Sequence, residues 1–224
     1  MNFLCQYTKS TIGKKTIVAV TGLLMIGFLV LHVLGNLQMF AGRGPTIETT
    51  KMNEYSALLR KEMALLWIAR IVLLFSALTH VLFTISLTRQ NRLARPENYH
   101  MRKTYSTAAS RMMIYGGLFL LGYIVYHLLH FTVGAVHKDL FREHDVYQNV
   151  IDSFQNPMIS AVYILAMLAL FAHLYHGTVA LFQTLGVSNP NHMKWIKKAG
   201  IGLSIIVCGG FMSIPVAVYL GCIQ

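Results

Sequence analysis

His32, His80, His127 and His173 each sit inside a separate long apolar stretch, at spacings of 48, 47 and 46 residues. An imidazole carries a donor and an acceptor, and hydrocarbon satisfies neither. A histidine within a membrane-spanning segment therefore marks a functional site by default. Four of them, one on each of four successive helices, suggest two bis-histidine metal sites. Haem is the group that fits two isolated axial pairs best. HLLH (127–130) and HLYH (173–176) also resemble ligand spacings of a non-haem metal centre. Di-iron bundles, however, need inward carboxylates, and no apolar stretch of this chain contains an acid. His130 and His176 compete with His127 and His173, because residues three apart share a helix face. His100, His137, His144 and His192 lie between the apolar stretches and are expected to be solvated.

The elements that must carry these histidines follow from composition. The 224 residues are 55% hydrophobic and only 12% charged, whereas a soluble domain carries about a quarter charged residues. Crossing a bilayer takes about 20 apolar residues, and five stretches qualify: 16–40, 63–88, 112–136, 157–183 and 199–221. The predicted fold is all-α, a bundle of five transmembrane helices binding two haems b. It forms one transmembrane domain over 1–224. Trp67 and Trp195 fall near span ends, where indole favours the interface. Pro157 suits a first helical turn, and Gly209, Gly210 and Pro215 predict a bend in the fifth span. Segment 49–62 has apolar residues at helical spacing and is expected to lie on the outer surface. Cys5, Cys208 and Cys222 have no pairing or metal spacing. The first apolar run is long enough to span, so no cleaved leader is expected.

Charge orients the bundle. The N-terminus, the 89–111 loop and segment 194–198 together carry twelve basic residues against one acid, Glu97, while the opposite side carries six against seven. By the positive-inside rule the N-terminus is cytoplasmic and the C-terminus is outside. His32 and His127 then fall in the outer halves of spans one and three, and His80 and His173 in the inner halves of spans two and four. An internal repeat supports two levels: Gly22 precedes His32 by ten residues, and Gly117 precedes His127 by ten. Ten helical residues rise about 15 Å, which brings both glycines to the inner level, where a missing side chain lets a macrocycle approach the backbone. The repeat favours His127 over His130. Ten residues outward from His80 lies Arg70, the one basic residue inside a span. A buried guanidinium there needs an anionic partner, and a propionate of the outer haem serves. Arg111 is the corresponding candidate for the inner haem.

TIGKK followed by VTGLLMIGFLVLHVLGNLQMF, then LTHVLFTISL, YIVYHLLHF and LALFAHLYHGTVALFQTLG, resemble the two-haem cytochrome b subunit of succinate dehydrogenases and fumarate reductases, the single-anchor five-helix type. The likeness extends over nearly the whole chain. It implies pairing of helix one with three and two with four, and it selects His173, with Gly177 following, over His176. It also implies a flavoprotein carrying FAD and an iron–sulfur protein docked on the cytoplasmic face of a bacterial inner membrane. A quinone (menaquinone or a relative) is expected near the outer haem, where Glu54, Glu62 and Arg60 are candidates for handling protons. The chain itself has no cysteine run for a cluster and no dinucleotide fingerprint. The expected function is electron transfer between the quinone pool and a succinate/fumarate enzyme. The alternatives are a di-haem cytochrome b of a hydrogenase or formate dehydrogenase, and a histidine-dependent transporter. The transporter is disfavoured because spans one and three run in the same direction, whereas many transporters are built from inverted repeats.

Overall fold

The computed structural model describes residues 3–94, 108–187 and 189–224, with the side chains of 3–5 and 108–112 outside that description. Arg95, Glu97, His100, Arg102 and Lys103 therefore lie outside the described residues, as do the side chains of Cys5 and Arg111. Every regular element among the described residues is helical: α1 (Phe3–Lys9), α2 (Thr11–Asn36), α3 (Lys51–Lys61), α4 (Met63–Leu93), α5 (Ala108–Leu128), α6 (Val146–Phe154), α7 (Pro157–Thr184) and α8 (Pro190–Tyr219). Five helical segments are long and apolar enough to cross a membrane: Thr11–Ala41, Met63–Leu93, Met113–Val133, Pro157–Thr184 and Pro190–Tyr219.

Local chemistry sets their ends. Ser10 caps α2 by accepting from the Gly13 N–H at 3.0 Å. Asn156 accepts from the N–H groups of Met158 and Ile159, and Pro157 fills the first turn of α7, where its missing N–H costs nothing. The Asn189–Pro190 pair starts α8 in the same way, nine residues before the span expected from hydropathy. A π-helical turn, Leu129–Val133, extends α5 and stops at Gly134, whose φ of 68° is left-handed. At the position of the expected bend in the fifth span, α8 continues as one helix through Gly209, Gly210 and Pro215.

The helices α2 and α4 pack together, as do α5 and α7, while α8 lies along α7 and touches α2. Gly210 permits that last approach: a Cβ there would stand 2.6 Å from Val33 Cγ2. Much of α4 is not covered by this chain. Ser76 is its one fully buried residue, and Leu65, Ile68, Ile71 and Phe75 all face outward, as suits a helix in hydrocarbon.

The end of the bundle where α2 stops is closed by two short helices. The first, α3, occupies the segment expected to lie on the surface. The second, α6, was not anticipated, and it buries Tyr147, Val150, Ile151 and Phe154 against Met39, Met52, Tyr163 and Ile214. Asn53 joins the two: its Nδ2 donates to Asp145 Oδ1 at 2.9 Å and to the Ile47 carbonyl at 3.0 Å, and its Oδ1 accepts from the Tyr147 N–H at 3.0 Å. An Arg142–Asp152 ion pair closes the outside of α6.

Two histidine pairs between the helices

The fold brings His32 of α2 beside His127 of α5, with ring centres 6.0 Å apart and planes at 81°. It brings His80 of α4 beside His173 of α7, at 6.4 Å and 57°. The first pair lies toward the capped end and the second toward the other. A metal–nitrogen bond of about 2.0 Å on each side, with about 1.1 Å from each nitrogen to its ring centre, puts two trans imidazoles roughly 6 Å apart. Both pairs have the separation that one interposed metal atom requires.

The nitrogens not needed for such a bond are held differently at the two levels. His80 Nδ1 lies 3.1 Å from the Val18 carbonyl and 3.2 Å from Thr21 Oγ1. A carbonyl can only accept, so this nitrogen carries the proton and leaves Nε2 with a free lone pair. That is the tautomer of a histidine oriented for metal binding. His173 Nδ1 is buried with no hydrogen-bond partner among the described residues. At the other level His127 Nδ1 lies 3.5 Å from Tyr163 Oη. Phe28 stacks on His32 with ring centres at 5.1 Å, and Phe211 of α8 covers it at 5.5 Å.

Gly22 and Gly117 stand beside the His80–His173 pair. A Cβ on Gly22 would lie 3.4 Å from His80 Cε1, and one on Gly117 would lie 3.5 Å from His173 Cε1. Each glycine thus leaves open the space next to one ring. A cavity of ≈ 520 Å³ opens between α4 and α5 toward the same end, lined by Ile85, Thr88, Arg89, Arg92, Ile114 and Tyr115 among others.

His130 has both ring nitrogens engaged by the protein. It is 2% exposed, with Nδ1 held by Tyr163 Oη at 2.9 Å and Nε2 by Ser153 Oγ at 3.0 Å. His176 is half-buried, and among the described residues no second imidazole faces it as His80 faces His173. Among the described residues no group of three or more His, Cys, Asp or Glu gathers as a metal site. Arg70 differs from the buried guanidinium expected of it: it is exposed on α4, with its guanidinium 5.1 Å from the Trp67 ring centre. Because α4 is apolar on every side, its sequence carries no signal for which face the bundle covers. Glu54 is exposed and paired with Lys51 at 2.7 Å, and Glu62 is exposed at the start of α4. Tyr163, Tyr123, Phe28, Phe211 and Ser153 are neighbours of the histidines that the sequence reading did not single out. The signal that was present is that a buried tyrosine needs a partner for its hydroxyl.

Residues 88–211, more than half of the chain, match the succinate dehydrogenase/fumarate reductase transmembrane subunit family. The chain belongs to that family. No curated protein and no solved structure matches it. As a family member it is a membrane-anchor subunit of an enzyme complex, and the five apolar helices agree with that place. The matched region takes in α5, α7 and most of α8, and so contains His127 and His173, whereas His32 and His80 precede it. Each pair therefore joins one histidine inside the matched region to one outside it.

Proposed function

We propose that this anchor subunit is a di-haem cytochrome b carrying electrons between the quinone pool and a flavoprotein–iron–sulfur pair that interconverts succinate and fumarate. The observation that carries the proposal is the presence of two histidine pairs, at 6.0 and 6.4 Å, at two depths of one bundle. His32 and His127 would hold one haem and His80 and His173 the other. A haem held by two histidines supplies a one-electron couple and keeps no open position for oxygen or substrate.

The protein's part is to orient and to insulate. The Val18 carbonyl and Thr21 fix the His80 ring, Tyr163 stands behind His127, and Gly22 and Gly117 leave room at the His80–His173 level. Phe28, Phe211 and Tyr123 surround the other pair with aromatic rings, which keeps water from it. The basic end of the bundle, bearing the exposed Lys15, Arg89 and Arg92, supports a cytoplasmic docking face for the soluble partners. Quinone chemistry is then assigned to the opposite end.

The test is a dithionite-reduced minus oxidised spectrum of the purified protein, with haem per chain from the pyridine haemochrome. Two b-type haems per chain are expected. Replacing His80 or His173 should remove one, and replacing His32 or His127 the other. A folded preparation without haem refutes the proposal.

A further inference from the structure

Behind the His32–His127 pair runs a buried chain of side chains from four elements: His127 on α5, Tyr163 on α7, His130 in the π-turn and Ser153 on α6. Its links are 3.5 Å from His127 Nδ1 to Tyr163 Oη, 2.9 Å from Tyr163 Oη to His130 Nδ1 and 3.0 Å from His130 Nε2 to Ser153 Oγ. Its interior members are sealed from water: Tyr163 is 6% exposed, His130 2% and Ser153 1%. Phe131 and Phe154 pack edge-on against the Tyr163 ring at 5.7 and 5.0 Å. The geometry points to Tyr163 and His130 as positioning residues that fix the tautomer of His127 and set the reduction potential of the haem at that level. This inference rests on the haem reading above.

Proton counting gives the chain one direction. For His127 to offer Nε2 to a metal, its Nδ1 must carry the proton and can only donate. Tyr163 Oη then accepts from His127, and its own proton goes to its other neighbour, His130 Nδ1. That nitrogen must therefore hold a lone pair, which places the His130 proton on Nε2, donated to Ser153. That arrangement keeps the Tyr163 proton inside the chain, whereas a Tyr163 accepting from both histidines would leave its buried O–H with no acceptor among the described residues. Hydrogen bonds aligned in this way polarise one another in a low-dielectric interior, so the acceptor behind His127 is stronger than an isolated phenol. A stronger acceptor behind Nδ1–H makes the imidazole more basic, stabilises the oxidised iron and lowers the potential.

The other level lacks such a device. His80 Nδ1 is held by a backbone carbonyl, supplemented by Thr21, and His173 Nδ1 has no partner among the described residues. Side-chain substitution along the Tyr163 chain should therefore move one haem and leave the other. The widened turn at Leu129–Val133 is consistent with this role, because single π-turns inside helices recur at functional sites.

The experiment is a potentiometric titration of the purified full chain, followed at the reduced b-band and by low-temperature electron paramagnetic resonance of the ferric state, for wild type, Tyr163→Phe, His130→Gln and Ser153→Ala. Tyr163→Phe keeps the ring and deletes only the hydroxyl. It is expected to retain two haems and to raise the potential of one of them by about tenfold in the reduction equilibrium, about 59 mV for one electron. The affected haem is the one that His32→Ala removes. His130→Gln should shift the same haem in the same direction by less, and Ser153→Ala by least. These two variants also carry the test should Tyr163→Phe fail to fold. Two haems with unchanged potentials in Tyr163→Phe, or a shift in the haem held by His80, overturns the inference while leaving the proposed function standing. A haem-free wild type removes both.

Discussion

His127 and His130 stand one helical turn apart, and the structure assigns them opposite dependencies. His130→Ala removes a ring that bridges three elements. Its two interhelical hydrogen bonds contribute about 0.6 kcal/mol each by the average for membrane proteins. The abandoned hydroxyls of Tyr163 and Ser153, both in a sealed interior, add about 1–3 kcal/mol. The expected loss of stability is about 2–4 kcal/mol, with both haems retained in the fraction that remains folded. His127→Ala removes one weak hydrogen bond at 3.5 Å and half of an axial pair. It should cost the fold less and cost the protein one haem. The assay is a thermal melt in detergent, run beside haem per chain on the monodisperse peak. If His130→Ala loses a haem at wild-type stability while His127→Ala keeps two, the ligand assignment is wrong, and with it the reasoning from satisfied nitrogens.

Gly210→Ala places a methyl 2.6 Å from the buried Val33 Cγ2 and should lower stability by about 1–3 kcal/mol; combining it with Val33→Ala should recover part of that loss in the same melt, as contacting residues do not add independently. Gly22→Phe and Gly117→Phe fill the space beside His80 and His173, so each should remove the haem of that level and spare the other, read from haem per chain. Asn53→Ala abandons the Tyr147 N–H and takes one donor from the Asp145 carboxylate, which keeps the Gln148 N–H. It should cost about 2–4 kcal/mol and expose the α3–α6 cap to protease at a temperature where wild type resists.

The placement of His32 beside His127 and of His80 beside His173 follows from counting, because depth in a membrane helix is a count along the chain, and alternating helix direction sorts the counts into two levels. Gly22 and Gly117 were legible for the same reason, through their common offset of ten. Other features depend on packing that no count supplies. Arg70 was expected to be buried, but a helix apolar all round has no moment to say which face is covered. The α6 helix is nine residues long, and its polar Gln148, Asn149 and Asp152 broke the apolar run that a search for spans follows. The start of α8 was missed because hydropathy reads KWIKK as a loop, although Asn189 followed by Pro190 is a helix-start signal in its own right. Tyr163 passed as one more aromatic residue in an apolar stretch, since its value lies in what its hydroxyl touches across two other elements.

The arrangement also couples the site to the fold. Among the described helices α2 packs with α4 and α5 with α7, and the two couples meet where α2 touches α7. The histidine pairs run the other way: His32–His127 joins α2 to α5, and His80–His173 joins α4 to α7. Each pair therefore bridges the two helix couples, and a group ligated by both rings would tie one couple to the other at that depth. Direct contact between α4 and α5 is slight, leaving the cavity beside Arg89 and Arg92, so at that flank the tie would have few protein contacts to reinforce. Anything that binds the assembled bundle and not its separated parts stabilises it by mass action. Loss of one ligand should accordingly loosen the association of the two couples as well as remove a carrier, and the effect should be larger at the His80–His173 level, which lacks the α3–α6 cap that holds the other end closed.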